Sequence, residues 1–390
     1  MVRSFGKKLA VLLLSVAVAN PCGNMIVQAQ TVNNDMETLA NEQLGQAEEQ
    51  AIENIVKSGA CGEDVQWSLA SDGTLTIKGN GAMSDYTTEH NYYTGITTNV
   101  PWGDYLNNIT KVVINGKIDY IGKCAFTDCP SIKQVILPSS IEKIGESAFE
   151  RCAGLSNISF PNKLISIGDY AFRGCSGLIS VVIPDSVTDI GGEAFRGCIN
   201  LESVLLSSNI SEIKYDTFSS CTKLVNIEIP QSVTKIGLFA FSFCESLTEL
   251  EIPEAVEYIA TEAFMDCLSL EKIVVKNANL VYGDRVFKKC PDSFVLYGKK
   301  GSTSETYAEK NGCKFSVIEP DEDQIIRGEC GENVNYELDL STGVMRIYGS
   351  GAMKDYGAYS DMAPWSRKYS NDIVKVKIED GVTRIGSNAL

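Results

Sequence analysis

The sequence predicts a repeat architecture, a β-rich right-handed solenoid of 23-residue units with small β flanking modules, and three observations predict it. Cysteine recurs every 23 residues at Cys129, Cys152, Cys175, Cys198, Cys221, Cys244, Cys267 and Cys290. Phenylalanine keeps the same step three places upstream, at Phe126, Phe149, Phe172, Phe195, Phe218, Phe241, Phe264 and Phe287. Isoleucine forms a third column through Ile121, Ile144, Ile167, Ile190, Ile213, Ile236 and Ile259. A fixed period of this length is the mark of coils stacked on one another.

The unit is clearest in Leu178 to Asn200, whose apolar positions are Leu178, Val181, Ile183, Val187, Ile190, Ala194, Phe195 and Cys198. Pro138, Pro161, Pro184, Pro230 and Pro253 each follow an apolar run, and proline ends a central strand because it cannot donate to the ladder. The run before proline therefore reads as a parallel strand along one face, and the return stretch through Ile190 to Cys198 as the opposite wall. Ordering a residue costs about 1–2 kcal/mol of backbone entropy, and each buried apolar side chain returns about 1.5–3 kcal/mol. One unit has too few such side chains to fold alone. Stacked units cover each other's open faces and extend one core.

The stretch Leu178-x-x-Val181-x-Ile183 matches the strand half of a leucine-rich repeat. The whole frame, IPxSVTxIGxxAFxxCxxLxxV, resembles the BspA-like (Treponema pallidum type) leucine-rich repeats found on surface proteins of host-associated bacteria and some protists. It covers residues 118–292. Ser207 and Lys276 replace the strand-end proline, Thr217 replaces the alanine, and the last unit drifts at Tyr282 and Phe294. The resemblance implies a non-enzymatic protein of adhesion or interaction, secreted or held at the cell surface.

Before the array, Arg3, Lys7 and Lys8 precede the apolar run Leu9 to Ala19 and the small-residue pattern Val27-Gln28-Ala29, the layout of a signal peptide over 1–29. Ala29 is the first choice for cleavage and Ala19 the second. Cys22 lacks the small preceding residue that lipidation requires. Residues 30–60 turn acidic, with Leu39, Leu44, Ala47, Ala51, Ile52, Ile55 and Val56 at helical spacing, and read as a helical spacer.

A module occurs twice. Cys61-Gly62-Glu63 recurs as Cys330-Gly331-Glu332, Gly79-x-Gly81-Ala82-Met83-x-Asp85-Tyr86 as Gly349-x-Gly351-Ala352-Met353-x-Asp355-Tyr356, and Pro101-Trp102 as Pro364-Trp365. Ile109 to Gly122 matches Ile373 to Gly386. The first copy spans 61–117, with a β-hairpin expected across Ser71-Asp72-Gly73, and covers the apolar end of the stack. Such modules commonly precede arrays in the family it resembles. Residues 293–318 read as a strand, helix, strand cap with Gly312 closing the helix, and 319–329 as a linker. The second copy, 330–390, runs into a repeat that stops at the position equivalent to Phe126. A fragment of a longer protein and local degeneration of the repeat both fit that ending.

The eight ladder cysteines sit on parallel rungs whose Cβ atoms aim the same way, which favours buried free thiols used as apolar fillers over disulfides. Cys61, Cys124, Cys313 and Cys330 fall outside this ladder, and one bridge among them stays open. A 23-residue spacing gives no close ligand pairs, so no metal is expected. His90 is the single histidine, without a nucleophile or phosphate-loop motif. Asp85 and Asp355 read as turn residues, each in its own module. No catalytic residue and no cofactor are expected.

Net charge of −16 argues against nucleic acid, and no membrane insertion is expected once the signal is removed. Strand residues alternate faces. If Val181 and Ile183 point inward, the open face carries Ile136, Ser159, Val182, Leu205, Glu228, Glu251 and Val274, flanked by Gln134, Asn157, Ser180, Ser203, Asn226, Glu249 and Lys272. An apolar strip on an acidic protein reads as a docking face for an extracellular protein, with carbohydrate an open alternative. The runner-up function is a non-catalytic module of a longer extracellular enzyme or carbohydrate-binding protein.

Overall fold

The computed structural model describes residues 54–91, 95–318, 325–340, 343–357, 362–366 and 368–389. The expected signal peptide, the spacer up to residue 53 and linker residues 319–324 lie outside them. The chain divides into two units, Met1–Val317 and Ile318–Leu390.

The first unit opens with three antiparallel strands, β1 (Ile55–Gly62), β2 (Val65–Ala70) and β3 (Thr74–Ala82). Gly73 turns the hairpin between the last two with φ 83°, a left-handed conformation open to glycine, and the Asp72 carboxylate accepts the Thr74 N–H at 2.9 Å. The helical spacer expected as far as residue 60 is corrected here. Ile55 and Val56 belong to β1, because β2 takes its backbone groups in pairs from Lys57↔Leu69 to Gly62↔Val65. A hairpin follows, β4 (Thr88–Asn91) with β5 (Gly95–Thr98), and His90 lies on its backbone.

The strand β6 (Lys111–Ile121) joins module to array. One edge runs parallel to β3 from Thr74↔Lys111 to Ala82↔Tyr120. The other receives β7 (Gln134–Ile136) and β8 (Lys143–Ile144). The expected boundary between residues 117 and 118 therefore falls inside one strand, which is hydrogen-bonded on both sides.

Beyond β6 the coils stack in steps of 23 and contribute to two parallel sheets. The first sheet pairs Ser180–Val182 with Ser203–Leu205 and Asn226–Ile227, then Glu249–Ile252 with Lys272–Val275 and Val295–Gly298. The second runs through the isoleucine column, Ile121↔Ile144↔Ile167↔Ile190 and Ile213↔Ile236↔Ile259↔Tyr282. The sequence reading foresaw only the first.

Between the sheets lies one core. The ring of Trp102 and the eight phenylalanine rings from Phe126 to Phe287 form a single stack, with centroids 5.1–5.7 Å apart and planes within 24° of one another. Beside it, each ladder thiol from Cys152 to Cys290 donates to the carbonyl of the phenylalanine one coil earlier, at 3.1–3.3 Å. The cysteines are thus rung-to-rung donors as well as fillers. Next to the isoleucines a glycine column lets backbones meet: a Cβ on Gly168 would come within 2.6 Å of the Glu146 nitrogen. Ala260 stands in that column and still donates to Ile236 at 2.9 Å. Lys214 does not, and there the second sheet breaks between Ile190 and Ile213.

At the array's far end, strand Val295–Gly298 is followed by helix α1 (Thr303–Asn311) and strand Lys314–Val317. Ser302 caps the helix and Gly312 ends it with φ 71°. Tyr307 of α1 stacks on Tyr282 at 4.4 Å and meets Phe287 edge-on at 5.8 Å, closing the ring column.

The second unit repeats the first module. Strands Ile325–Gly331, Val334–Asp339 and Val344–Gly349 are antiparallel, and Lys375–Ile378 runs parallel to the last. Residues 325–329, expected as linker, are strand, paired from Ile325↔Asp339 onward. Strand Val382–Arg384 pairs with Gly351–Ala352.

Candidate interaction face

Parallel pairing in steps of 23 sets like positions side by side on the outward side of the first sheet. Ser180, Ser203 and Asn226 form one row and Val182 stands beside Leu205. Farther along, Glu249 neighbours Lys272 and Glu251 neighbours Val274. Gln134 pairs with Lys111 and Ile136 with Val113. Asn157 and Ser159 hold the equivalent coil position without forming a strand, and Glu228 follows the short strand Asn226–Ile227. The structure thus brings the candidates together as a central patch and a charged patch, since the described strands Asn226–Ile227 and Glu249–Ile252 share no ladder.

One candidate is corrected. Ile136 is only 3% exposed and its neighbour Val113 only 1%, although both lie outside the continuous core. Alternation tells which way a side chain points and not what stands over it, so the accessible column starts at Ser159. Val182, Leu205 and Val274 are half-buried, while Asn157, Ser203, Asn226, Glu228, Glu249, Glu251 and Lys272 are exposed. Rungs about 4.8 Å apart make neighbouring side chains shield each other's flanks.

Charge is ordered at the far patch. Lys276 pairs with Glu251 at 2.6 Å, and the Lys272 ammonium lies 5.4 Å from the centre of the Tyr297 ring. Tyr297 and Val295 continue the two columns one step further, in register with Val274 and Lys272. Sequence reasoning missed both, although adding 23 once more reaches them.

A second exposed patch also escaped it. On the turn edge, Tyr215, Leu238 and Phe243 are exposed, and Phe239 and Phe243 hold φ 55° and 60°. Ion pairs surround that edge: Glu193 with Arg196 at 2.9 Å and Arg173 at 3.4 Å, and Glu262 with Arg285 at 2.8 Å and Lys288 at 3.1 Å. Burial pushes the Asp216 carboxyl up, with Arg196 opposing at 3.5 Å.

The remaining candidates for chemistry have structural tasks. Asp85 accepts the Lys123 N–H at 2.8 Å and the Tyr120 hydroxyl at 2.7 Å. Asp355 accepts the Ser387 N–H at 2.7 Å and pairs with Arg384, whose hydrogen bond holds its carboxyl at about 2. Burial pushes the thiols of Cys198 and Cys244 up to about 12, which keeps them protonated and poor nucleophiles. Cys61, Cys124, Cys313 and Cys330 are free thiols. Among the described residues, no group of three or more His, Cys, Asp or Glu is placed to hold a metal ion, and no helix is long and apolar enough to cross a membrane.

The family model for the BspA type leucine rich repeat region matches residues 104–191 and 166–293, in six copies. Solved structures with similarity include a leucine-rich repeat protein from Eubacterium ventriosum, at 23% identity over 63% of this chain and 73% of that one, with a TM-score of 0.43. The T. pallidum leucine rich repeat protein is 26% identical over 48% of this chain and 91% of that one, with a TM-score of 0.36. A leucine rich cell surface protein from Faecalibacterium prausnitzii is 21% identical over 83% and 95%, with a TM-score of 0.42. No curated protein matches the chain.

Proposed function

Because residues 104–293 belong to the BspA-type leucine-rich repeats, we propose that this chain is a non-enzymatic binding protein, exported to the cell surface or beyond, whose outward sheet face docks an extracellular protein. The observation that carries the reading is the pair Val182 and Leu205, apolar and partly open, set in register among Ser180, Ser203 and Asn226. An apolar centre inside a polar rim is the anatomy of a protein interface, and a stack of parallel coils keeps it rigid before contact. The acidic positions Glu228, Glu249 and Glu251 beyond it favour a partner with a basic flank. Export is supported by the charged and apolar segment from Arg3 to Ala19.

Binding to a panel of immobilised, purified extracellular matrix proteins tests the reading. The double variant Val182→Asp/Leu205→Asp is expected to lose capture, while Leu238→Asp/Phe243→Asp on the turn edge retains it. Both should keep the parent's circular dichroism. Unchanged capture by the first variant, or equal loss in both, would remove the sheet face as the docking site.

A further inference from the structure

On the turn edge the acids lie beneath the bases. Asp128, Glu193, Asp216, Glu262 and Asp266 hold left-handed backbone, φ 51–57°, and their N–H groups donate to the next coil at 2.8–3.0 Å. Their side chains are only 8–14% exposed. The bases paired with them, at 2.8–3.6 Å, stand outside: Arg151, Arg173, Arg196, Arg285, Lys288 and Lys289 keep side chains 37–63% exposed. In the sheets the two signs share the surface, as with Lys276 and Glu251 at 49% and 53%. A set of ion pairs thus presents a cationic outer layer on a protein of net charge −16.

The bases form two groups along the array. Arg151, Arg173 and Arg196 come from three successive coils, and Arg285, Lys288 and Lys289 from the coil of Phe287. Between the groups lie the exposed Tyr215, Leu238 and Phe243. The Tyr215 ring rests against Gly192, which has no side chain to lift it. Arg196 meets both Glu193 and Asp216 through one nitrogen, Nη1, and Arg173 meets Glu193 through its own Nη1. A guanidinium carries five N–H donors, so both forks keep donors for an outside anion.

We propose that the turn edge binds a linear sulfated polysaccharide, with sulfates at the two basic groups and a sugar ring on Tyr215. Guanidinium groups on successive rungs about 4.8 Å apart call for anions repeated along a chain, not for a single ion. The planar arginine fork matches two oxygens of one such group. Tyrosine offers an apolar body with a polar tip, which suits the face of a sugar. The edge is one turn wide, and that width fits a polymer strand better than the broad patch a folded protein buries. The site is separate from the outward sheet face.

Binding of the full chain to heparin tests this at about 0.15 M salt, where exposed charges are already screened beyond about 8 Å. Heparin is expected to bind, and fully desulfated heparin to bind at least about tenfold more weakly. Arg173→Gln/Arg196→Gln should lose at least about tenfold in affinity, and Tyr215→Ala should also weaken binding. Lys143→Gln/Lys235→Gln removes the same charge from exposed positions on the second sheet and should change nothing. Val182→Asp/Leu205→Asp should change nothing either, so this site and the sheet face fail independently. Absence of binding, or equal loss in the arginine and lysine pairs, would overturn the proposal. Poly-glutamate or a single-stranded oligonucleotide binding as tightly as heparin would also overturn it, assigning the edge to an acidic protein or a nucleic acid. If circular dichroism shows Arg173→Gln/Arg196→Gln unfolded, Arg285→Gln/Lys289→Gln decides, because those side chains are 62% and 63% exposed. Undiminished heparin affinity in that pair would refute the site.

Discussion

Replacing Phe195 with alanine should unseat the centre of the array. The ring is fully buried and lies between Phe172 at 5.4 Å and Phe218 at 5.7 Å, with both interplanar angles at 7°. Truncating a buried phenylalanine costs about 3–5 kcal/mol, and removing a stacked ring from its neighbour adds about 0.5–1.5 kcal/mol per pair beyond area. With two such ring pairs and neighbours fixed by rung-to-rung bonds that limit collapse of the cavity, the cost belongs near the top of the core range, about 4–5 kcal/mol. Phe243 supplies the control, because it is exposed on the turn edge and its truncation should cost less than about 1 kcal/mol. Equilibrium unfolding in urea, followed by far-ultraviolet circular dichroism, measures both. A destabilisation below about 2 kcal/mol for Phe195→Ala would show that the rings are not a shared core.

Alkaline pH should unfold the array ahead of what its surface charge suggests. Burial raises Cys198, Cys244 and Cys290 to about 12 from an ordinary 9.0, so the unfolded chain releases these protons first. Their stabilisation is complete below pH 9.0 and is lost as pH rises toward 12, at about 1.4 kcal/mol per pH unit for each thiol. Urea midpoints measured across that window should fall less steeply in Cys198→Ala/Cys244→Ala than in the parent, and equal slopes would refute the assignment. Gly168→Val should cost about 1–3 kcal/mol by overpacking, since its side chain would press on the Glu146 backbone. A thermal melt checks this, with an unchanged midpoint as the contrary result.

The phenylalanine, isoleucine and cysteine columns were legible because a period repeated eight times leaves no choice of frame, and stacking then dictates which side chains meet. The turn edge was not. Ser147, Tyr170, Glu193 and Phe239 adopt left-handed backbone without glycine or asparagine to announce it. Their strain is compensated by bonds to the next coil, such as Ser147 N–H to Asp169 at 2.8 Å and Tyr170 N–H to Gly192 at 2.9 Å. Only the stacked array supplies those partners, so no local signal exists in one unit. The strand at Ile55 and Val56 was read as helix because two apolar residues in an acidic stretch fit either period, and the pairing with β2 decided it. On the candidate face, direction was legible and coverage was not: Ile136 points outward as alternation requires, yet it is enclosed with Val113.

Thiol labelling during urea unfolding tests most directly whether successive coils share one core. Cys152, Cys175, Cys198, Cys221, Cys244 and Cys267 are all buried and all bonded to the preceding coil. Maleimide pulses read by peptide mass spectrometry should find none of the six reactive in native buffer and all six becoming reactive over one coincident range of urea. Reaction of any of them before unfolding, or separate midpoints for neighbouring rungs, would contradict a continuous core.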